Sequence, residues 1–201
     1  MKKFVYLFLL FSPFSYGQVL VDQSLTIEQY VTEVLLGPGV SASNIQFTGC
    51  PSQIGRLTGG NSVNLIIDGG VVLSSDNAKN LELPAQSADS YLGVDGCTGI
   101  SQQSGDLETI ANLVPPLIGQ SFSVSSVNDV AILEFDFVPT GDTLQFNYIF
   151  GSDEYLTWIN TGYNDIFAFF LSGPDITGPY AAPPGFPNGA INIAQVPNSD
   201  P

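Results

Sequence analysis

Asp153, Glu154, Asn164 and Asp165 have the side-chain types and the spacing to do chemistry together. They fall as two pairs at the two ends of one stretch, residues 151–165. Carboxylates and a carboxamide offer only oxygen, and calcium takes about six to eight oxygen ligands from such groups, carbonyls and water. The chemistry they suggest is a calcium site. The plainer alternative is that Asn164 and Asp165 make side-chain turns at a strand entry, with Asp153 and Glu154 solvated. The chain has no D-x-[DN]-x-[DN]-G loop to favour calcium further. Tyr155, Trp158 and Tyr163 lie between the two pairs. They could form an aromatic platform for a sugar or a peptide, or pack the stretch onto a sheet.

Paired carboxylates also hydrolyse glycosides, but across a cleft. Asp153 and Glu154 are neighbours, and in extended chain their side chains diverge. Glu134 and Asp136 share a strand face that reads as solvent-facing. The sequence has no histidine, which removes the Ser-His-Asp mechanism and most zinc chemistry. The favoured reading is non-catalytic, with a carbohydrate-active domain kept as the alternative.

The elements that must position these groups flank the stretch. Leu144, Phe146, Tyr148 and Phe150 alternate with Gln145 and Asn147, a period-2 strand with one apolar face. Residues 166–171 are a nearly continuous apolar run, expected to be a strand buried on both faces. If the two strands are antiparallel neighbours, both roots of the intervening loop meet at one sheet edge. Topology alone then gathers the four oxygen-bearing side chains. A connection of this length in a compact domain is usually functional or disordered, and its three aromatics favour order.

Composition bounds the partners. The 201 residues carry 4 Lys and Arg against 19 Asp and Glu. Nucleic acid and anionic membranes need a basic patch that this chain lacks. Divalent cations are compatible with it. Residues 1–17 read as a signal peptide: Lys2 and Lys3, an apolar run over 4–14, then Ser15-Tyr16-Gly17 as a small-x-small cleavage site. The run is about half of the roughly 20 residues that span a bilayer. After cleavage nothing is expected to insert in a membrane, and residues 18–201 form one domain. Cys50 and Cys97 are the two cysteines. An exported chain with an even count favours a disulfide between them, against two buried thiols.

Along the chain, residues 25–36 are the strongest helix, with a Thr26–Gln29 capping-box pattern and a Gly37-Pro38 stop. Its apolar face is Ile27, Tyr30, Val31, Val34 and Leu35. Residues 44–48 read as a strand, and 63–67 with 71–74 as a hairpin around Asp68-Gly69-Gly70. Residues 76–105 read as loop. A short helix over 106–114 should end at Pro115-Pro116. A strand over 130–138 has Leu133, Phe135 and Phe137 on one face, and a last strand is expected over 191–196. Gly (21), Pro (14) and few charges favour many short strands and turns.

FDFVPTGDTLQFNYIFGSDEYL, YNDIFAFFLSGP and NIAQVP, in that order, resemble the choice-of-anchor L domain of bacterial secreted and surface proteins. LLGPGVSASNIQFTG and IDGGVVLSS resemble its opening section. The resemblance runs over residues 25–197. The family more often has Ser-Glu-Glu-Tyr where this chain has Ser152-Asp153-Glu154-Tyr155, a swap that keeps charge and shortens one arm. The resemblance implies an exported protein, secreted or held at the cell surface by a C-terminal signal, of the kind Bacteroidota export. It also implies further strands beyond the NIAQVP block, so that Pro201 falls inside the family domain.

The expected fold is mainly β, a two-sheet sandwich of jelly-roll type with one N-terminal helix and a short second helix. The expected function is a surface module for adhesion or ligand binding, its ligand a glycan or a protein, with calcium structuring the loop. A lectin-like or glycoside-hydrolase domain is the alternative, and an architectural spacer a third.

Overall fold

The computed structural model describes residues 18–82, 104–117, 119–152 and 165–194. The fold is mainly β, as expected: antiparallel sheets with short helices, consistent with a sandwich, and no closed barrel among the described residues. The helix begins where the sequence places it. The Thr26 hydroxyl accepts from the Gln29 backbone N–H at 3.2 Å, and the Gln29 carboxamide accepts from the Thr26 N–H at 3.0 Å. Two otherwise orphaned donors are thereby satisfied. Helix α1 (Ile27–Gln29) runs directly into a π-helical turn, Tyr30–Leu35. The wider π winding changes which side chains face inward. Tyr30 and Val31 are buried, while Leu35, expected on the same face, is 42% exposed.

That helical segment touches strands of two different sheets. One is β1 (Leu20–Asp22), β3 (Ile54–Thr58) and β4 (Gly70–Leu73), with β3 central. The other pairs β2 (Ser41–Thr48) with β5 (Ile132–Val138). Val21, Tyr30, Val31 and Ile54 form the fully buried centre. A bulge in β2 between Ser43 and Gln46 places Asn44 at φ +51°, a left-handed conformation that Asn tolerates better than most residues. The free edge of β1 is blunted: the Val21 N–H donates to the Glu82 carboxylate at 2.7 Å. Glu82 closes the 3-10 turn Ala78–Glu82.

The expected hairpin around Asp68-Gly69-Gly70 does not form. Residues 60–63 are a 3-10 turn, and β4 pairs with β3 instead, Ile54 opposite Leu73 and Leu57 opposite Gly70. Asn64 takes a left-handed conformation at φ +64°, and the Gly60 N–H donates to the Asp68 carbonyl at 2.8 Å. These local bonds close the segment on itself, so Ile66 points outward at 94% exposure. The second helix also differs. Helix α2 (Gly105–Ala111), capped by the Ser104 hydroxyl, ends before the prolines, which sit inside a further turn, α3 (Val114–Leu117). Proline is tolerated in a first helical turn because its missing N–H has no partner there.

The strand expected over 144–150 makes no ladder among the described residues. The run expected to be a fully buried strand over 166–171 is half-buried or exposed, and only β6 (Phe170–Leu171) is a strand. It pairs with β7 (Ile191–Asn192), which is shorter than the strand expected over 191–196: residues 193 and 194 carry no strand, and 195 and 196 lie outside the described residues. Beyond that short ladder the Ile193 N–H donates to the Phe169 carbonyl at 2.8 Å, and Tyr180 bridges Ala190. The Asp106 carboxylate accepts from the Ala181 N–H at 3.1 Å, tying the start of α2 to this hairpin.

Candidate functional site

The two segments that flank the central stretch lie side by side, held by rings rather than by a backbone ladder. Phe146 packs edge-on against Phe169 with centroids 4.5 Å apart. Tyr148 lies 5.4 Å from Phe167 and 5.6 Å from Phe169, and Phe150 stacks on Phe167 at 5.9 Å. As the first segment ascends in number the second descends, so the two run antiparallel. Aromatic pairs of this geometry add about 0.5–1.5 kcal/mol each beyond their burial. The sequence placed these rings by alternation, and the alternation is what lets them meet.

At the end of this ring ladder the two loop roots touch. The Ser152 hydroxyl donates to the Asp165 carboxylate at 2.5 Å. Thirteen positions separate the two residues in sequence, so this bond closes the stretch between them. The two roots do meet, at Ser152 and Asp165, although among the described residues no sheet ladder joins the flanking segments. Asp165 is exposed, with one carboxylate oxygen taken by Ser152. Its companions Asp153, Glu154 and Asn164 lie outside the described residues, as do Tyr155, Trp158 and Tyr163. Among the described residues no group of three carboxylates or thiols is placed to hold a metal ion. Ser152 is the site residue the sequence reading passed over. The signal was available: a hydroxyl one position before the acidic pair, at the end of the alternating strand.

The other acidic pair shows how a carboxylate is spent structurally. On β5, Asp136 lies opposite Ser43 and Glu134 opposite Gln46. The Asn44 carboxamide, turned by the bulge, donates to the Asp136 carboxylate at 2.6 Å. Asp136 thus anchors an irregular strand, and Glu134 is exposed beside it. The two share one face of β5, and Asp136 is engaged by Asn44.

Cys50, two residues past the end of β2, is 3% exposed, and Cys97 lies outside the described residues. Beside Cys50 the buried Gln53 carboxamide accepts from the Cys50 N–H and donates to the Asp129 carbonyl, both at 2.7 Å. A buried carboxamide with both ends satisfied is a cross-link. It fixes the chain around Cys50 against the entry to β5. Among the described residues two groups have shifted titration. Burial pushes the Tyr30 phenol above its usual value, with the nearby Asp22 charge adding to the effect. A hydrogen bond from the Ser24 side chain, then one from its backbone, holds Asp22 below the usual carboxylate range.

No helix among the described residues is long and apolar enough to cross a membrane. Neither a curated protein nor a solved structure matches the chain. Over residues 19–201 the chain matches the choice-of-anchor L domain, the family to which it belongs.

Proposed function

We propose that this domain is a non-catalytic binding module of an exported protein, with its ligand taken at the loop between Ser152 and Asp165 and calcium holding that loop. Membership of the choice-of-anchor L family makes the protein surface-associated or secreted. The observation that carries the rest is the Ser152–Asp165 bond at the end of the aromatic ladder. It fixes the two roots, Ser152 and Asp165, next to each other, and in the sequence Asp153 and Glu154 follow directly on Ser152 while Asn164 precedes Asp165. Crowded carboxylates repel unless a cation or a proton neutralises them. A chain with a net charge of −15 has few internal cations to do so. Its basic side chains among the described residues are Arg56 and Lys79, and Lys79 is paired with Glu82 at 3.8 Å. Tyr155, Trp158 and Tyr163 would then face a glycan or peptide from the fixed loop.

The test has two arms. Thermal unfolding with EDTA and with millimolar calcium is compared for wild type and Asp165→Ala. Extracellular calcium modules bind at about 10⁻⁴–10⁻³ M. At a hundredfold excess the gain is about 2.7 kcal/mol, and Asp165→Ala should lose it. The second arm probes a glycan array with wild type and Trp158→Ala. Calcium-dependent binding that Trp158→Ala abolishes is expected. No calcium shift together with no array signal would leave a spacer, and turnover of an arrayed glycan would make it an enzyme.

A further inference from the structure

We infer that Asn188 is a site of spontaneous deamidation, and that its conversion unlocks the β6–β7 hairpin. Asn188-Gly189 is the single Asn-Gly pair in the sequence. Asn188 is exposed, and its carboxamide has no hydrogen-bond partner among the described residues. The side chain is therefore free to rotate onto the backbone that follows it. The attacking atom would be the Gly189 nitrogen. Its N–H is held only by a 3.3 Å bond to the Phe186 carbonyl, near the long end for such bonds. Gly189 has no Cβ to shield that nitrogen, and its φ of +82° is one that glycine adopts freely.

The chemistry closes without a co-reactant other than water. The Gly189 nitrogen gives up its proton and bonds to Cγ of Asn188. The bond from Cγ to the side-chain nitrogen breaks, and ammonia leaves. The resulting five-membered imide takes up water at either carbonyl. One opening gives aspartate, and the other gives isoaspartate, in which the main chain runs through the former side chain. Both add a negative charge to a chain that is already acidic.

The second opening matters for the fold. The Asn188 carbonyl accepts from the Gly178 N–H at 3.0 Å, and two residues later Ala190 exchanges both backbone bonds with Tyr180, at 2.9 and 3.2 Å. The backbones approach so closely that a Cβ on Gly178 would collide with the Ala190 carbonyl, and one on Gly189 with the Gly178 carbonyl. An additional main-chain carbon at position 188 has no room in that contact. It shifts the register by part of a residue, and the Tyr180–Ala190 bridge and the two-residue β6–β7 ladder depend on that register.

The experiment holds the folded protein at body temperature in mildly alkaline and mildly acidic buffer. Samples are digested at low pH and mapped by mass spectrometry. Residue 188 should exchange NH for oxygen several-fold ahead of every other asparagine, faster in the alkaline buffer. Hydrogen exchange at Tyr180 and Ala190 should quicken in step with the isoaspartate fraction. The variant Asn188→Gln, whose ring closure is slower by one ring atom, should keep both amides protected. The proposal is overturned if another asparagine converts first. It is equally overturned if residue 188 persists while a synthetic peptide spanning 183–193 converts, since the hairpin would then protect it. Conversion with no change in exchange at Tyr180 and Ala190 would sink the structural half.

Discussion

At the residue scale, one buried side chain decides how the first sheet meets its helix. Tyr30 is 1% exposed, and its hydroxyl donates to the Asp22 carbonyl at 3.1 Å. Burial of a phenol is favourable when the hydroxyl keeps a partner. Replacing Tyr30 by Phe leaves the Asp22 carbonyl without that donor and should cost about 1 kcal/mol at neutral pH. The pH dependence has a definite sign. The folded phenol titrates above its ordinary 10.0, so the folded state holds this proton more tightly than the unfolded chain does. The resulting stability is fully present below the unfolded value and is lost as pH rises through the raised one. Urea unfolding from neutral to strongly alkaline pH should show a steeper loss for wild type than for Tyr30→Phe. Equal slopes would mean that the Tyr30 phenol ionises without leaving its site.

At the scale of elements, local chemistry and long-range pairing divide what could be read in advance. The capping box at Thr26 and Gln29 was legible because every bond in it lies within four residues. Thr26→Ala should therefore cost about 1 kcal/mol. The loss should be read by denaturant unfolding, and a Thr26→Ser control should restore most of it. A Thr26→Ala protein as stable as wild type would mean that packing of Tyr30 and Val31 alone sets the helix start. Strand β3 was not legible. Its sequence, IGRLT, carries Gly55 and Arg56 where alternation would ask for something else. Pairing on both sides, with β1 and β4, makes it a central strand. A Cβ on Gly55 would clash with the Val21 side chain, so the glycine admits a neighbour that the pattern could not announce. The opposite error occurred at residues 63–67, whose apolar alternation was overridden by left-handed Asn64 and by the bonds to Asp68. The site lies between these cases. Alternating rings at 146, 148 and 150 foretold the antiparallel neighbour, and its rings at 167 and 169 do meet them. The hydroxyl of Ser152 was missed because nothing in a strand pattern says which polar residue will face its partner.

At the scale of the whole molecule, two terms act on the entire chain, one covalent and one electrostatic. Cys50 and Cys97 should be bridged in exported protein. Closing a loop of that length would contribute roughly 4 kcal/mol in the chain-entropy account, less any strain. Alkylation without reductant, followed by intact mass, should find no modified thiol in folded protein, and two would exclude the bridge. The electrostatic term follows from 19 acidic residues against 4 basic ones. Among the described residues there is a single ion pair, Lys79–Glu82, and it is exposed at its lysine end. Exposed pairs of this kind contribute about 0–1 kcal/mol, so added salt has little attraction to weaken. It has much repulsion to weaken, because like charges crowd a compact state more than an extended one. The screening length falls from about 30 Å at 0.01 M to about 8 Å at 0.15 M, which cuts the interaction between carboxylates on opposite sides of the molecule. The melting temperature should therefore rise with sodium chloride over that range, and it should rise as much with potassium as with sodium. This general effect is the baseline for the calcium test. If calcium binds at the Asp165 root, its stabilisation must exceed that of sodium chloride at matched ionic strength, and the excess must vanish in Asp165→Ala while the sodium response remains. A calcium effect no larger than the matched sodium effect would assign all of it to screening and none to a site.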